Sequence, residues 1–172
     1  MRVGLTINDR EYVREIEPRL LLVDFLRDDL RLTGTHWGCD TSNCGTCVVL
    51  MDGEPVKSCT LLTATAAGHR IQTVEGLEVD GVLDPVQVGF SREHGLQCGF
   101  CTPGFIMAAA YLLKENPSPT DGEIERGLEG NLCRCTGYEN IKKAVRSASA
   151  AMKGGTAQTT QLVGAVAAPV EG

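Results

Sequence analysis

The sequence has no basic block. Its formal net charge is −6 over 172 residues, and nothing in it offers the clustered Lys and Arg that a nucleic-acid backbone needs. It also has no long apolar run. Its longest are far shorter than the ~20 residues that cross a bilayer. The opening stretch, Met1-Arg2-Val3-Gly4-Leu5-Thr6-Ile7, alternates apolar and polar residues and lacks the apolar core of a secretory signal. It reads as a strand, and the expected location is cytoplasmic and reducing. Histidine is scarce. His36, His69 and His94 share no ligand spacing, which leaves them surface or structural roles.

Cysteine, by contrast, is abundant. The eight cysteines fall into two groups of four: Cys39, Cys44, Cys47 and Cys59, then Cys98, Cys101, Cys133 and Cys135. In a reducing compartment such a set argues for metal rather than disulfides. A disulfide scaffold would suit a shorter secreted chain, and Cys133-Arg134-Cys135 is too close-set for easy mutual bridging. Structural zinc is the other use of paired cysteines, but the first group lacks the two-plus-two spacing of a zinc ribbon. Its spacing is C-x4-C-x2-C with a fourth Cys downstream, the plant-type pattern for a [2Fe–2S] cluster. Three thiolates come from one loop and the fourth arrives from elsewhere. Gly38 and Gly45 suit a backbone wrapped around a cluster, and Ser42 and Asn43 supply local hydrogen bonds.

Around that loop, residues 2–7 and 12–17 read as a β-hairpin turned at Asn8-Asp9 and closed by Pro18. Leu20 to Leu30 reads as a helix with Leu22, Phe25, Leu26 and Leu30 on one face. Cys47 to Met51 reads as a strand, Asp52-Gly53 as its turn, and Pro55 to Leu61 as the partner strand that carries Cys59. Ile71 to Val74 is a further strand. These elements form a small α+β unit over residues 1–76. Residues 77–84 read as a linker. Over 85–153 the pattern turns helical. Asp84-Pro85 opens a helix that Gly95 stops, and Thr102-Pro103 opens a second, to about Glu115, with Phe105, Ala108, Ala109 and Leu112 on one face. Thr120-x-x-Glu123 is a capping box for a third, and the fourth starts near Gly137 and carries Ile141, Ala144, Val145 and Ala148. Small residues on the inner faces predict a compact four-helix bundle. Residues 154–172 read as a mobile tail, or one ordered on a partner.

Cys98-Gly99-Phe100-Cys101 precedes one helix and Cys133-Arg134-Cys135 another. Helix starts offer unpaired N–H groups and positive potential to an anionic cluster, which makes the second group a candidate for a second [2Fe–2S] site. Trp37 and Tyr138 read as packing residues. Arg134 either offsets cluster charge or stays solvated.

The runs Gly38 to Cys47, Gln97-Cys98-Gly99-Phe100-Cys101-Thr102-Pro103-Gly104 and Gly130-Asn131-Leu132-Cys133-Arg134-Cys135-Thr136-Gly137-Tyr138 resemble the iron–sulfur subunit of molybdenum hydroxylases, the xanthine dehydrogenase and aldehyde oxidoreductase family. Within it, the chain most resembles the small subunit of aerobic carbon monoxide dehydrogenase. The resemblance covers residues 1–152. It implies an α+β architecture: an N-terminal ferredoxin-like β-grasp domain followed by a small four-helix domain, each with a [2Fe–2S] cluster. It implies a medium subunit that binds FAD and a large subunit that binds molybdenum with a pterin cytosine dinucleotide, paired with copper in CO-oxidising members, in a dimer of heterotrimers. Those partners would place the chain at the inner face of the membrane. Electrons would pass from molybdenum through the helical-domain cluster and the ferredoxin-like cluster to FAD. Gln97 and Cys135 would approach the pterin, and the loop at Cys39 and Asp40 would face the flavin. The chain itself would bind no organic substrate. Rival expectations are the same role for an aldehyde, a purine or an N-heteroaromatic, a free-standing ferredoxin-like carrier, and a zinc-bound interaction module.

Overall fold

The computed structural model describes residues 1–154. Strands β1 (Arg2–Ile7) and β2 (Arg10–Glu15) pair antiparallel. Asn8 and Asp9 turn between them with φ of 48° and 62°, the left-handed pair that matches strand twist in a two-residue hairpin. The return strand thus begins and ends two residues earlier than the sequence pattern suggests. The sheet has five strands in the order β2-β1-β5-β3-β4, with β3 (Val48–Met51), β4 (Glu54–Lys57) and β5 (Arg70–Gln72). β1 and β5 run parallel; every other pair is antiparallel. Asp52 and Gly53, at φ 51° and 90°, turn the β3–β4 hairpin.

The element read as one helix over 20–30 is not one. A short α-turn, α1 (Leu22–Asp24), passes into a π-helical turn over Phe25–Asp29. The wider turn still buries Leu22, Phe25 and Leu26 completely against Val3, Leu5, Ile7, Val49 and Ile71, and Leu30 is left at the edge of that core. The expected strand through Leu61 also stops early. β4 ends at Lys57, and Cys59 lies in a 3₁₀ turn over Ser58–Thr60.

The chain reaches the second unit through a tight turn rather than an open linker. Val79 and Val82 bridge each other around Asp80-Gly81, with both turn residues at positive φ. Four helices follow: α2 (Pro85–Arg92), α3 (Thr102–Glu115), α4 (Asp121–Leu128) and α5 (Glu139–Lys153). Capping boxes start α2 at Asp84 and α4 at Thr120. The stop of α2 differs from expectation. His94 adopts the left-handed conformation, at φ 51°, while Gly95 serves close packing: a Cβ there would sit 3.0 Å from Phe90 and 3.2 Å from Ala144. Gly89 lets α2 approach α5, since a Cβ would lie 2.5 Å from the Ala144 carbonyl. In α3, Leu113 is fully buried where the sequence pattern favours Leu112.

The two units share a boundary. Val49 points into the sheet's core, while Val48 and Leu50 on the other face of β3 pack on Met107 of α3. Burial on both faces explains why Val48-Val49-Leu50-Met51 is continuously apolar instead of alternating. Of the expected tail over 154–172, all but Gly154 lies outside the described residues. Among the described residues no helix is long and apolar enough to cross a membrane.

Candidate iron–sulfur centres

All eight cysteines are free thiols, and the fold gathers them into the two expected groups. In the first, Cys39 and Cys44 lie together, and the Cys44 N–H donates to the Cys39 sulfur at 3.4 Å. Cys59 lies against Cys47 and also feels Cys39. The Ser58 hydroxyl donates to the Cys47 carbonyl at 2.7 Å and fixes the 3₁₀ turn that presents Cys59. In the second group, the Cys135 and Cys98 sulfurs are 3.5 Å apart, and Cys101 lies against Cys133.

The thiols therefore pair two by two. Among the described residues no three His, Cys, Asp or Glu side chains converge on one ion. A binuclear cluster does not require that, because each iron takes two protein thiolates and two bridging sulfides. The donors fit the binuclear group in a further respect. The Thr102 hydroxyl, next to Cys101, is shut off from solvent and has no hydrogen-bond partner among the described residues, an orphan donor of the kind an anionic sulfur-rich group satisfies.

Electrostatics separates the thiols. The Cys44 N–H, with help from Thr41, holds Cys39 down to about 6. Burial, then the Cys47 thiol, pushes Cys59 up to about 11. Burial and Cys133 push Cys101 up to about 12. Burial works to raise Cys133 too, but the hydroxyl and N–H of Thr136 outweigh it and its net shift is downward. Without a cluster the buried thiols hold their protons, and loading iron must displace them. One consequence is measurable. In the cluster-free protein Cys39 is the thiol expected to react first with iodoacetamide at pH 7, since the thiolate is the nucleophile. Its advantage should fade as pH falls through about 6. Peptide mass spectrometry after partial alkylation reads this directly, and uniform labelling of the eight thiols would contradict it.

Exposure differs between the pairs. Cys98 and Cys135 are exposed, Cys101 and Cys133 half-buried, and Cys47 and Cys59 buried. Gln97 is exposed beside Cys98, and Asp40 is exposed beside Cys39. The helix-start placement expected for the second group holds at one end: Cys101 is the N-cap of α3. Thr136, Gly137 and Tyr138 separate Cys135 from α5, so there Thr136 replaces the helix dipole as the source of donors.

Several residues do more than the sequence suggests. Tyr138, at φ 68°, accepts the Cys133 N–H on its hydroxyl at 3.0 Å and meets Phe105 edge-on, so it braces the thiol loop. The His36 ring stacks on Phe100 at 4.9 Å, and its Nδ1 lies 2.7 Å from the Phe100 carbonyl. Trp37, expected to pack, is 46% exposed, and Arg134 is exposed.

A β-grasp sheet with one thiol quartet, joined to a four-helix unit with another, defines the class of proteins with two [2Fe–2S]-binding domains. Residues 5–72 match the family model for a 2Fe-2S iron-sulfur cluster binding domain, and residues 73–146 match that for a [2Fe-2S] binding domain. The chain is 51% identical over 150 residues to the caffeine dehydrogenase subunit gamma of Pseudomonas sp. strain CBB1, covering 86% of this chain and 90% of that one. It is 49% identical over 148 residues to the nicotine 6-hydroxylase small subunit of Paenarthrobacter nicotinovorans, covering 86% and 89%. Among solved structures, quinoline 2-oxidoreductase from Pseudomonas putida 86 superposes with a TM-score of 0.86 at 45% identity, over 90% of this chain and 97% of that one. The chain belongs to the iron–sulfur small subunits of the molybdenum hydroxylases, which are electron-transfer subunits.

Proposed function

We propose that this chain relays electrons from a molybdenum–pterin site in a large subunit to FAD in a medium subunit. Cys39, Cys44, Cys47 and Cys59 would hold one [2Fe–2S] cluster, and Cys98, Cys101, Cys133 and Cys135 the other. The observation that carries the ligand assignment is the pairwise closure of both quartets, Cys98 on Cys135 at 3.5 Å among them. When bound, such clusters supply one-electron centres, a plant-type cluster near about −400 mV. The protein supplies position and sulfur donors through the N–H groups of Cys44 and Thr136. The exposed Gln97, Cys98 and Cys135 form the side of the second centre open to a partner, which supports the assignment of Gln97 and Cys135 to the pterin side. Exposed Asp40 beside Cys39 supports a flavin-facing role for that loop.

For the substrate of the whole assembly, an N-heteroaromatic is the reading we favour over carbon monoxide. The relatives described above carry caffeine, nicotine and quinoline in their names; carbon monoxide appears in none of those three. That chemistry would belong to the large subunit. Low-temperature EPR of the anaerobically purified, dithionite-reduced protein, with iron and zinc assays on the same sample, tests the electron-transfer reading. Two S = 1/2 signals and about four irons per chain are expected. Zinc with no signal would overturn it.

A further inference from the structure

The two thiol loops are built into one another around the Gly45 carbonyl. Asn131 precedes the Cys133 loop by two residues and is 4% exposed. Its Nδ2 donates to the carbonyl of Gly45 at 2.9 Å, across 86 residues of sequence. Gly45 lies between Cys44 and Cys47 of the other loop, at φ +75°. Its surroundings leave no slack. A Cβ on Gly45 would lie 2.4 Å from the Gly130 carbonyl and 2.6 Å from the Asn131 amide, and a Cβ on Gly104 would lie 2.1 Å from the Gly45 carbonyl. On either side of that point, the Leu132 N–H donates to the Cys44 carbonyl at 2.9 Å, and the Thr46 hydroxyl donates to the Phe100 carbonyl at 3.3 Å.

We propose that Asn131 is a positioning residue that sets the separation and orientation of the two iron–sulfur centres by holding the Gly45 carbonyl. This rests on the ligand assignment proposed above. The chemistry has a clear direction. Among the described residues the buried Asn131 carboxamide is the one donor that reaches Gly45 from the second unit. The Val48 N–H, at 3.2 Å, holds the same carbonyl from within the first, and loss of one of two donors to a buried carbonyl is costly. Loss of the Asn131 bond loosens the backbone between Cys44 and Cys47 against the second unit, leaving the Leu132 and Thr46 bonds at its two ends as the remaining hydrogen bonds described above. Electron tunnelling falls exponentially with distance, so a latch between two ligand loops acts on the relay itself, although Asn131 is not a ligand.

The experiment uses the full chain, with the partner subunits that co-purify, in four forms: unsubstituted, Asn131→Ala, Asn131→Leu and Ser149→Ala. Asn131→Leu keeps the side-chain volume close and removes the donor, whereas an Asp buried there would protonate and donate in its turn. Ser149→Ala is the control, since it removes another buried side-chain bond of the same unit, to the Pro117 carbonyl at 2.7 Å. The first readout is the magnetic interaction between the two reduced centres by EPR. The second is iron loss from each centre to a ferrous chelator, followed by the decay of its signal. Both Asn131 variants are expected to weaken the interaction and to release the Cys39–Cys59 iron roughly tenfold faster, while Ser149→Ala leaves both unchanged. An unaltered interaction in Asn131→Leu, or the same change in Ser149→Ala, would overturn the proposal. Fewer than two signals in the unsubstituted protein would overturn the ligand assignment beneath it.

Discussion

Gly104→Ala is expected to lower the thermal midpoint by roughly 6–12 °C, the shift that about 3 kcal/mol produces in a chain of this size. The added methyl would lie 2.1 Å from the Gly45 carbonyl oxygen and 2.9 Å from the Thr46 Cα. Both are backbone atoms, so no side chain can turn aside, and either α3 or the first thiol loop must move. The gain in helix propensity from Gly to Ala, about 1 kcal/mol, works in the opposite direction and is outweighed. Gly122→Ala in α4 is the matched comparison. Its Cβ meets nothing nearer than the Arg126 guanidinium at 3.6 Å, and it should hold or raise the midpoint. A Gly104→Ala protein melting within about 2 °C of the unsubstituted chain would mean that the loop and α3 part at little cost.

Cys59→Ser is expected to take iron from about four to about two per chain and to abolish one of two EPR signals. Cys59 is 2% exposed, and serine fits its place on the 3₁₀ turn, so the fold should survive while a thiolate is lost. Cys98, Cys101, Cys133 and Cys135 lie in the other unit and should keep their signal. Retention of about four irons with both EPR signals unshifted would show that Cys59 is not a ligand, since a serine oxygen taking its place on iron would shift one of them. Loss of both signals would show that the two centres assemble only together.

Local chemistry made much of this architecture legible. Asn8-Asp9 and Asp52-Gly53 announce hairpins because each pair tolerates positive φ, and Thr120 with Glu123 announces a helix start. The grouping of the thiols is legible because most of them sit in short runs, Cys39 to Cys47, Cys98 to Cys101 and Cys133 to Cys135, whose spacing is local. What escaped was non-local or depended on shape. The π-turn over Phe25–Asp29 keeps the apolar stripe of an α-helix, so periodicity alone cannot distinguish the two. The placement of Cys59 in a turn rather than a strand depends on where β4 runs out of partners. The parallel pairing of β1 with β5 joins residues about sixty positions apart. His36 has no ligand spacing, and its part, stacking on Phe100, exists only once the two units meet. The same holds for Asn131 and Gly45. Each looks like an ordinary loop residue until the other is beside it.

The uneven shielding of the second quartet bears on how the protein is made. Cys101 and Cys133 face the interior of the helical unit, while Cys98 and Cys135 face outward. On the ligand assignment proposed above, cargo would reach that quartet by a doorway framed by the Cys98 and Cys135 sulfurs, 3.5 Å apart. A protein surface laid over those sulfurs seals the doorway. On that assignment maturation has an order: a chain filled before a partner covers it would become a working relay, and one covered first would stay empty.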